Sequence, residues 1–248
     1  MLVATHCHTH YSFDCDTTID DLVENCVKKG IGCTLITDHD VFGLTKEDLK
    51  KFDDKNIVVL NAIEFTTSEG AHIIGIHPDI KKFEKERYFY KSCELIKILQ
   101  ENNGWISIPH PTHQTGIMSV GLSDDELFYC LSTAHFIEEA SSKYGEFDIK
   151  DMLKKYKNLK PIVSDDAHRK EDVGIMLNKV TYENNSDNKY QEILSSLYRQ
   201  SNNIYDEKSL LIRKYKKMIQ SSTLYQLISK SMSKEFKNKI KKILKRGK

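Results

Sequence analysis

Short apolar runs alternate with longer stretches of helical periodicity along most of this chain, and that alternation restricts its fold more than any other feature. Leu2–Thr5, Cys33–Thr37, Ile57–Ile63, Ala71–Ile76, Trp105–Ile108, Ala134–Ile137 and Pro161–Ser164 read as strands. Between them lie helical patterns at Thr17–Lys29, Thr45–Phe52, Glu84–Asn102, Asp124–Leu131 and Phe147–Tyr156. The third is expected to stop at Asn103-Gly104, a pair suited to a left-handed cap. Strands that alternate with helices predict a parallel α/β sheet covered on both faces, and 248 residues suffice to close it into one barrel.

Polar residues collect just beyond these apolar runs. His6 and His8 follow the first, Asp38 and His39 the second, Glu64 the third, His110 the fifth, and Asp166 and His168 the seventh. In an α/β barrel the C-terminal strand ends form the mouth, where active sites are built. All ten histidines fall between His6 and His168, and imidazole is the commonest side-chain metal ligand. A His-x-His pair leaving a strand can aim both rings at one cation, because residues i and i+2 share a face.

Composition narrows the classes further. No run approaches the roughly 20 apolar residues a membrane span needs, and the opening residues lack the basic and apolar regions of a secretory signal. Six scattered cysteines form no C-x-x-C pair, which predicts reduced thiols in a cytoplasmic protein and no cysteine zinc site. The formal net charge of +1 conceals a split: residues 206–248 hold fourteen Lys/Arg against three Asp/Glu, so the first 205 residues carry −10. An acidic body suits the collection of cations.

The run His6-Cys7-His8-Thr9-His10-Tyr11-Ser12-Phe13-Asp14 is followed by Ile36-Thr37-Asp38-His39-Asp40, Ala62-Ile63-Glu64-Phe65, His72-Ile73-Ile74-Gly75, Pro109-His110-Pro111 and Ser164-Asp165-Asp166-Ala167-His168. In content and order these segments resemble the motifs of the polymerase and histidinol phosphatase (PHP) superfamily, over residues 2 to about 170. The resemblance implies a distorted (β/α)7 TIM-like barrel of the PHP type with a trinuclear metal centre. It further implies that His6, His8, Glu64 and Asp166 hold one metal, that Glu64 bridges to a second completed by His72 and His110, and that Asp14, His39 and His168 hold a third. A mixed imidazole and carboxylate set suits Zn²⁺, Mn²⁺ or Fe²⁺ better than Mg²⁺.

Other residues compete for these places. Asp166 is favoured over Asp165 by the D-x-H spacing of the family, and His72 over His77 by the H-I-I-G motif. Asp38 is expected to orient an imidazole; Glu138 and Glu139 are expected to be structural, with an outer-ligand reading open for Glu138. His10 is expected at the surface and His135 in a core or edge position. His113 has a substrate-contact reading, including protonation of the leaving group, beside one of plain solvation, and Arg169 is the candidate cation for phosphate oxygens, with a surface role as its alternative. No G-x-S-x-G elbow, P-loop or G-x-G-x-x-G is present, so no covalent serine route or nucleotide-loop chemistry is expected.

The expected domains are a PHP-type barrel over 1–205 and a basic amphipathic helical tail over 206–248. The tail suits packing on the barrel, or contact with an anionic membrane surface or nucleic acid. The function expected is hydrolysis of a phosphate monoester of a nucleotide, sugar or small metabolite by metal-activated water. Alternatives are an exonuclease or phosphodiesterase acting on nucleic acid ends, histidinol phosphatase, and a non-catalytic module on the same scaffold. Retention of all nine ligand positions argues against the last.

Overall fold

The computed structural model describes residues 1–181, 188–199, 202–207 and 210, and Met1–Tyr205 forms one compact unit. The expected tail helices therefore lie outside the described residues, apart from 206, 207 and 210. The core starts with three parallel strands: β1 (Leu2–Cys7), β2 (Ile31–Ile36) and β3 (Val58–Thr66). Local sequence specifies the helices that join them. Helix α1 (Ile19–Lys29) begins where the Thr18 hydroxyl accepts the Asp21 N–H and ends on Gly30 at φ 65°. Asp20 and Asp21 occupy its first turn and Lys28 and Lys29 its last, matching the helix dipole. Helix α2 (Lys46–Asp53) is fixed by a reciprocal capping box between Thr45 and Asp48. Leu22, Cys26 and Phe52 pack these helices into one core cluster with Ala4, Ile31 and Ile36.

Strand β4 (His72–Ile76) corrects the all-parallel expectation, because it runs antiparallel to both β3 and β5 (Trp105–Ile108). Only residues 67–71 separate β3 from β4, far fewer than the dozen or so a parallel crossover requires. Gly70, at φ 85°, makes the tight return. This reversal places His72 opposite Thr66 at the exit of β3, whereas His77 follows the other end of the strand.

Helix α3 (Ser92–Glu101) is shorter than the predicted Glu84–Asn102. The preceding backbone is bonded elsewhere: the Tyr88 N–H donates to Thr66 O, and the Ser68 N–H to Tyr90 O. Tyr88 itself sits at φ 64°, which a helix excludes. Helix α4 (Asp124–Thr133) has a capping box from Ser123 and Glu126. Strand β6 (Phe136–Ser141) starts two residues later than predicted, runs parallel to β5, and forms a small hairpin with β7 (Gly145–Glu146). Helix α5 (Lys150–Lys155) precedes β8 (Lys160–Ser164), which is parallel to β6.

Three elements had no sequence assignment: β9 (Met176–Lys179), α6 (Lys189–Arg199) and β10 (Asn202–Tyr205). Strands β9 and β10 extend the sheet antiparallel beyond β1. Helix α6 packs Ile193, Leu194 and Leu197 against Val3, Leu60, Ile76 and Trp105, covering the end of the barrel away from the strand exits. Beyond β8 the chain returns to β1: Ala167 donates to His6 O, and His8 donates to Ala167 O. Asn178 helps close this seam, its side-chain oxygen accepting the Val163 N–H and its amide donating to Val163 O. The result is an α/β fold with a curled sheet, consistent with a TIM-like barrel in which β4 is reversed and β7 and β9 add antiparallel pairs.

Candidate metal centre

Glu64, near the end of β3 and 1% exposed, is the hub of the mouth. Its Oε2 lies 3.0 Å from His6 Nε2, 3.2 Å from His8 Nε2 and 3.5 Å from His39 Nδ1. Its Oε1 lies 2.9 Å from His72 Nδ1 and 3.0 Å from His110 Nε2. Five imidazoles from four segments thus face one carboxylate. The register of β1 with β2 slips between Ala4 and Cys7, and His6 sits within the slip. Such irregularities re-aim a side chain that strict alternation would turn away.

The remaining candidates join this nest. Asp166 Oδ1 is 3.5 Å from His8 Nε2 and 3.1 Å from His168 Nδ1. Asp14 Oδ2 is 2.9 Å from His168 Nε2 and 3.6 Å from His39 Nε2. Three overlapping groups have ligand atoms close enough to share a cation: His6, His8 and Glu64; His39, Glu64 and His72; and His8, Asp14, His39 and His168. Two non-glycine residues of the nest, His110 (φ 27°) and Asp166 (φ 48°), hold left-handed backbone, strain of the kind that persists where a site dictates conformation.

The donor set fits divalent metal better than it fits a metal-free hydrogen-bond network. His6 Nε2 and His8 Nε2 face each other at 3.0 Å, and the buried His39 Nδ1 has no hydrogen-bond partner among the described residues. Two carboxylate oxygens cannot satisfy five ring nitrogens, whereas cations between them would use every lone pair. Electrostatics agree. Burial pushes the Glu64 carboxyl up, but His6, His39 and His72 outweigh it and hold it well below the usual range. Burial pushes His39 down to about 3, which leaves a neutral ring with lone pairs to offer. Burial also opposes a proton on His168, yet Asp14 and Asp166 raise it to about 9. Such a proton occupies a place a metal would take.

Several expectations change. Asp38 does not orient an imidazole: its carboxylate accepts the Thr9 N–H at 2.6 Å and the Thr9 hydroxyl at 2.7 Å, fixing the loop after β1. Asp165 turns away from the nest to accept the N–H groups of Gly174, Ile175 and Met176, which leaves Asp166 at the mouth. His77 packs edge-on against Phe83, remote from the nest because β4 is reversed. His10 is exposed beside Tyr11, and His135 packs on Trp105. Glu139 bonds to Asn203, away from the nest. Glu138 is buried and central: its Oε1 meets His6 Nδ1 at 2.8 Å and its Oε2 accepts the His110 N–H at 2.8 Å. A carboxylate there sets the His6 tautomer and frees Nε2 to face the nest.

The nest opens into a cleft of about 590 Å³. His113 lines it, its ring stacked 4.2 Å from that of Tyr144. Arg169 is exposed and does not line the cleft; the cations that do are Arg87 and Lys143. Lys143 Nζ lies 3.0 Å from Asp166 Oδ2. Burial opposes its charge, but Asp166 and Tyr144 raise its pKa, so it stays protonated. The sequence reading missed both cations. Lys143 had a signal in its place just after β6, while Arg87 was hidden inside a stretch read as helix.

A search of curated proteins returned no match. Among solved structures the chain is similar to a two-domain protein from Bacteroides vulgatus containing a predicted PHP-like metal-dependent phosphoesterase: TM-score 0.65, 16% identity, 87% of this chain and 69% of that one. It is similar to PsfC from Pseudomonas syringae, with TM-score 0.62, 12% identity, and 88% and 98% coverage. It is also similar to the lesion-specific endonuclease Q of Pyrococcus furiosus, with TM-score 0.63 and 17% identity over 82% of this chain and 57% of that one. At these identities the likeness is one of fold. The family follows from the sequence itself: residues 4–246 match the PHP domain, and with its motif residues gathered at one mouth the chain belongs to the PHP domain family.

Proposed function

We propose that this protein is a metal-dependent phosphoesterase that hydrolyses phosphate monoesters of small molecules such as nucleotides, sugars or other metabolites. The observation that carries this reading is a buried imidazole and carboxylate nest opening into a cleft of about 590 Å³ that also holds two cations. The volume lies within the range of small-molecule sites. His6, His8, Glu64 and Asp166 would hold one ion; Glu64, His72 and His110 a second; Asp14, His39 and His168 a third. Bound divalent ions, Zn²⁺, Mn²⁺ or Fe²⁺, activate water and neutralise phosphate oxygens.

The protein's own side chains do the rest. Lys143 is placed to pair with a non-bridging phosphate oxygen beside Asp166, a role the sequence reading had given to Arg169. Glu138 holds His6 in one orientation through its Nδ1. His113 offers a ring nitrogen to the leaving group from the cleft wall, supported by its stack on Tyr144.

The test uses the full chain loaded with Mn²⁺ or Zn²⁺ against phenyl phosphate, bis(p-nitrophenyl) phosphate and a short oligonucleotide. Turnover of the monoester well above the other two is expected. Cleavage of the diester or the oligonucleotide with the monoester untouched would overturn the reading in favour of a nuclease or phosphodiesterase.

A further inference from the structure

We propose that the cleft selects monoesters whose leaving group carries a nucleobase, stacked on an aromatic rim made by Phe13, Tyr88 and the guanidinium of Arg87. This rests on the monoesterase reading above and names its substrate class, nucleoside monophosphates. Phe13 and Tyr88 both line the cleft, yet they remain 68% and 52% exposed. A single exposed ring needs no explanation, but two at one cleft mouth are a recognition surface. Arg87 Cζ lies 4.3 Å from the centre of the Phe13 ring and 5.6 Å from that of Tyr88, so three flat groups meet there. Flat, electron-rich partners stack on such groups.

The rim is held in place. Arg87 Nε donates to Asp40 Oδ2 at 3.2 Å and to Thr66 Oγ1 at 3.3 Å. The Asp40 carboxylate also accepts the Thr66 N–H at 2.6 Å. Asp40 and Tyr88 both adopt left-handed backbone, at φ 58° and 64°, a conformation costly for residues with side chains. The Tyr88 N–H is tied to Thr66 O, which fixes that strained turn against β3. An exposed ring held in a strained conformation gives the fold nothing by burial.

Distance links the rim to the chemistry. Phe13 precedes Asp14, and its ring centre is 5.3 Å from that of His39. A base on the rim therefore leaves its sugar phosphate to reach inward, toward the nest and Lys143. Gln114, Thr115 and Ser119 line the same cleft with amide and hydroxyl groups suited to ribose or base edges. The cleft volume accommodates one nucleotide, and stacking tolerates any base, so preference for nucleotides as a class is expected.

Adenosine 5′-monophosphate and ribose 5-phosphate differ only in the base and form the test pair, with phenyl phosphate as a ring without sugar. kcat/KM for the nucleotide is expected to exceed that for ribose 5-phosphate by about tenfold or more, the scale of one base-on-aromatic stack. Phe13→Ala and Tyr88→Gly should each collapse that ratio, and Tyr88→Phe should keep it; using the ratio cancels any loss common to both substrates. Competitive inhibition by adenosine should weaken in parallel in the two ring-deleting variants. Equal rates for nucleotide and ribose 5-phosphate, ratios unmoved by the substitutions, preference for phenyl phosphate over the nucleotide, or preference for an oligonucleotide would each overturn the proposal. Hydrolysis of none of the monoesters would instead overturn the monoesterase reading itself.

Discussion

At the scale of single residues, the centre depends on how Glu64 and its partners are oriented. His8→Ala and Asp166→Ala each remove a side chain that no other residue duplicates, so each should lower phosphate release by at least about 10²-fold with the circular dichroism spectrum unchanged. Full turnover in either variant would reject the site. Glu138→Gln is subtler. It keeps the shape but loses the charge that faces His6 Nδ1, so metal affinity, read by competition with a chelator, should fall by about 10- to 100-fold. The nine candidate residues stood out in the sequence because each belongs to a short motif, and the structure brings those motifs to one mouth. Glu138 was not legible as a partner of His6, because its effect depends on a cross-barrel distance no spacing encodes. Arg87 was concealed by a run whose composition suits a helix but whose backbone bonds to β3.

At the scale of elements, strand and helix positions followed from periodicity, whereas strand direction did not. The reversal of β4 comes from a loop too short to cross over, a feature visible in the sequence only once the glycine turn is weighed against the apolar run. Strand β9 escaped notice because it is four residues long with polar Asn178 buried beside Met176 and Leu177, and β10 because it is largely exposed. Two elements carry predictions. Asn178→Ala strips the buried Val163 N–H of its partner and leaves the Val163 C=O with the Thr5 hydroxyl alone, which should cost about 1–3 kcal/mol of unfolding free energy in urea. His135, at the entry to β6, accepts the Ile106 N–H through Nδ1 and packs among Trp105, Phe136 and Tyr198, with the Lys160 ammonium over Tyr198. Burial lowers its pKa, so the folded state resists a proton that the unfolded chain accepts near pH 6.5. Its contribution to stability is present above that pH and lost as pH falls through the folded value. Urea titrations between pH 7.5 and 5 should show a smaller decline in His135→Gln than in the parent; identical slopes would refute the assignment.

At the scale of the whole molecule, charge and closure matter most. The first 205 residues carry −10 of formal charge, a field that draws divalent cations inward and weakens with salt. No helix among the described residues is long and apolar enough to cross a membrane. The candidate ligands also straddle the seam. His6 and His8 belong to β1 and the turn after it, Asp166 and His168 to the chain leaving β8, and the two sides are joined by the short backbone bridge at Ala167, by the Thr5 hydroxyl on Val163 O and by the Asn178 side chain. A cation gripped by both sides would act as a rivet across this joint. Amide hydrogen exchange along β1 and β8 should therefore slow markedly when metal-free protein is loaded with Zn²⁺, while α6, which carries no candidate ligand, changes little. Metal supply would then govern how tightly the scaffold holds itself together as well as how fast it turns over substrate.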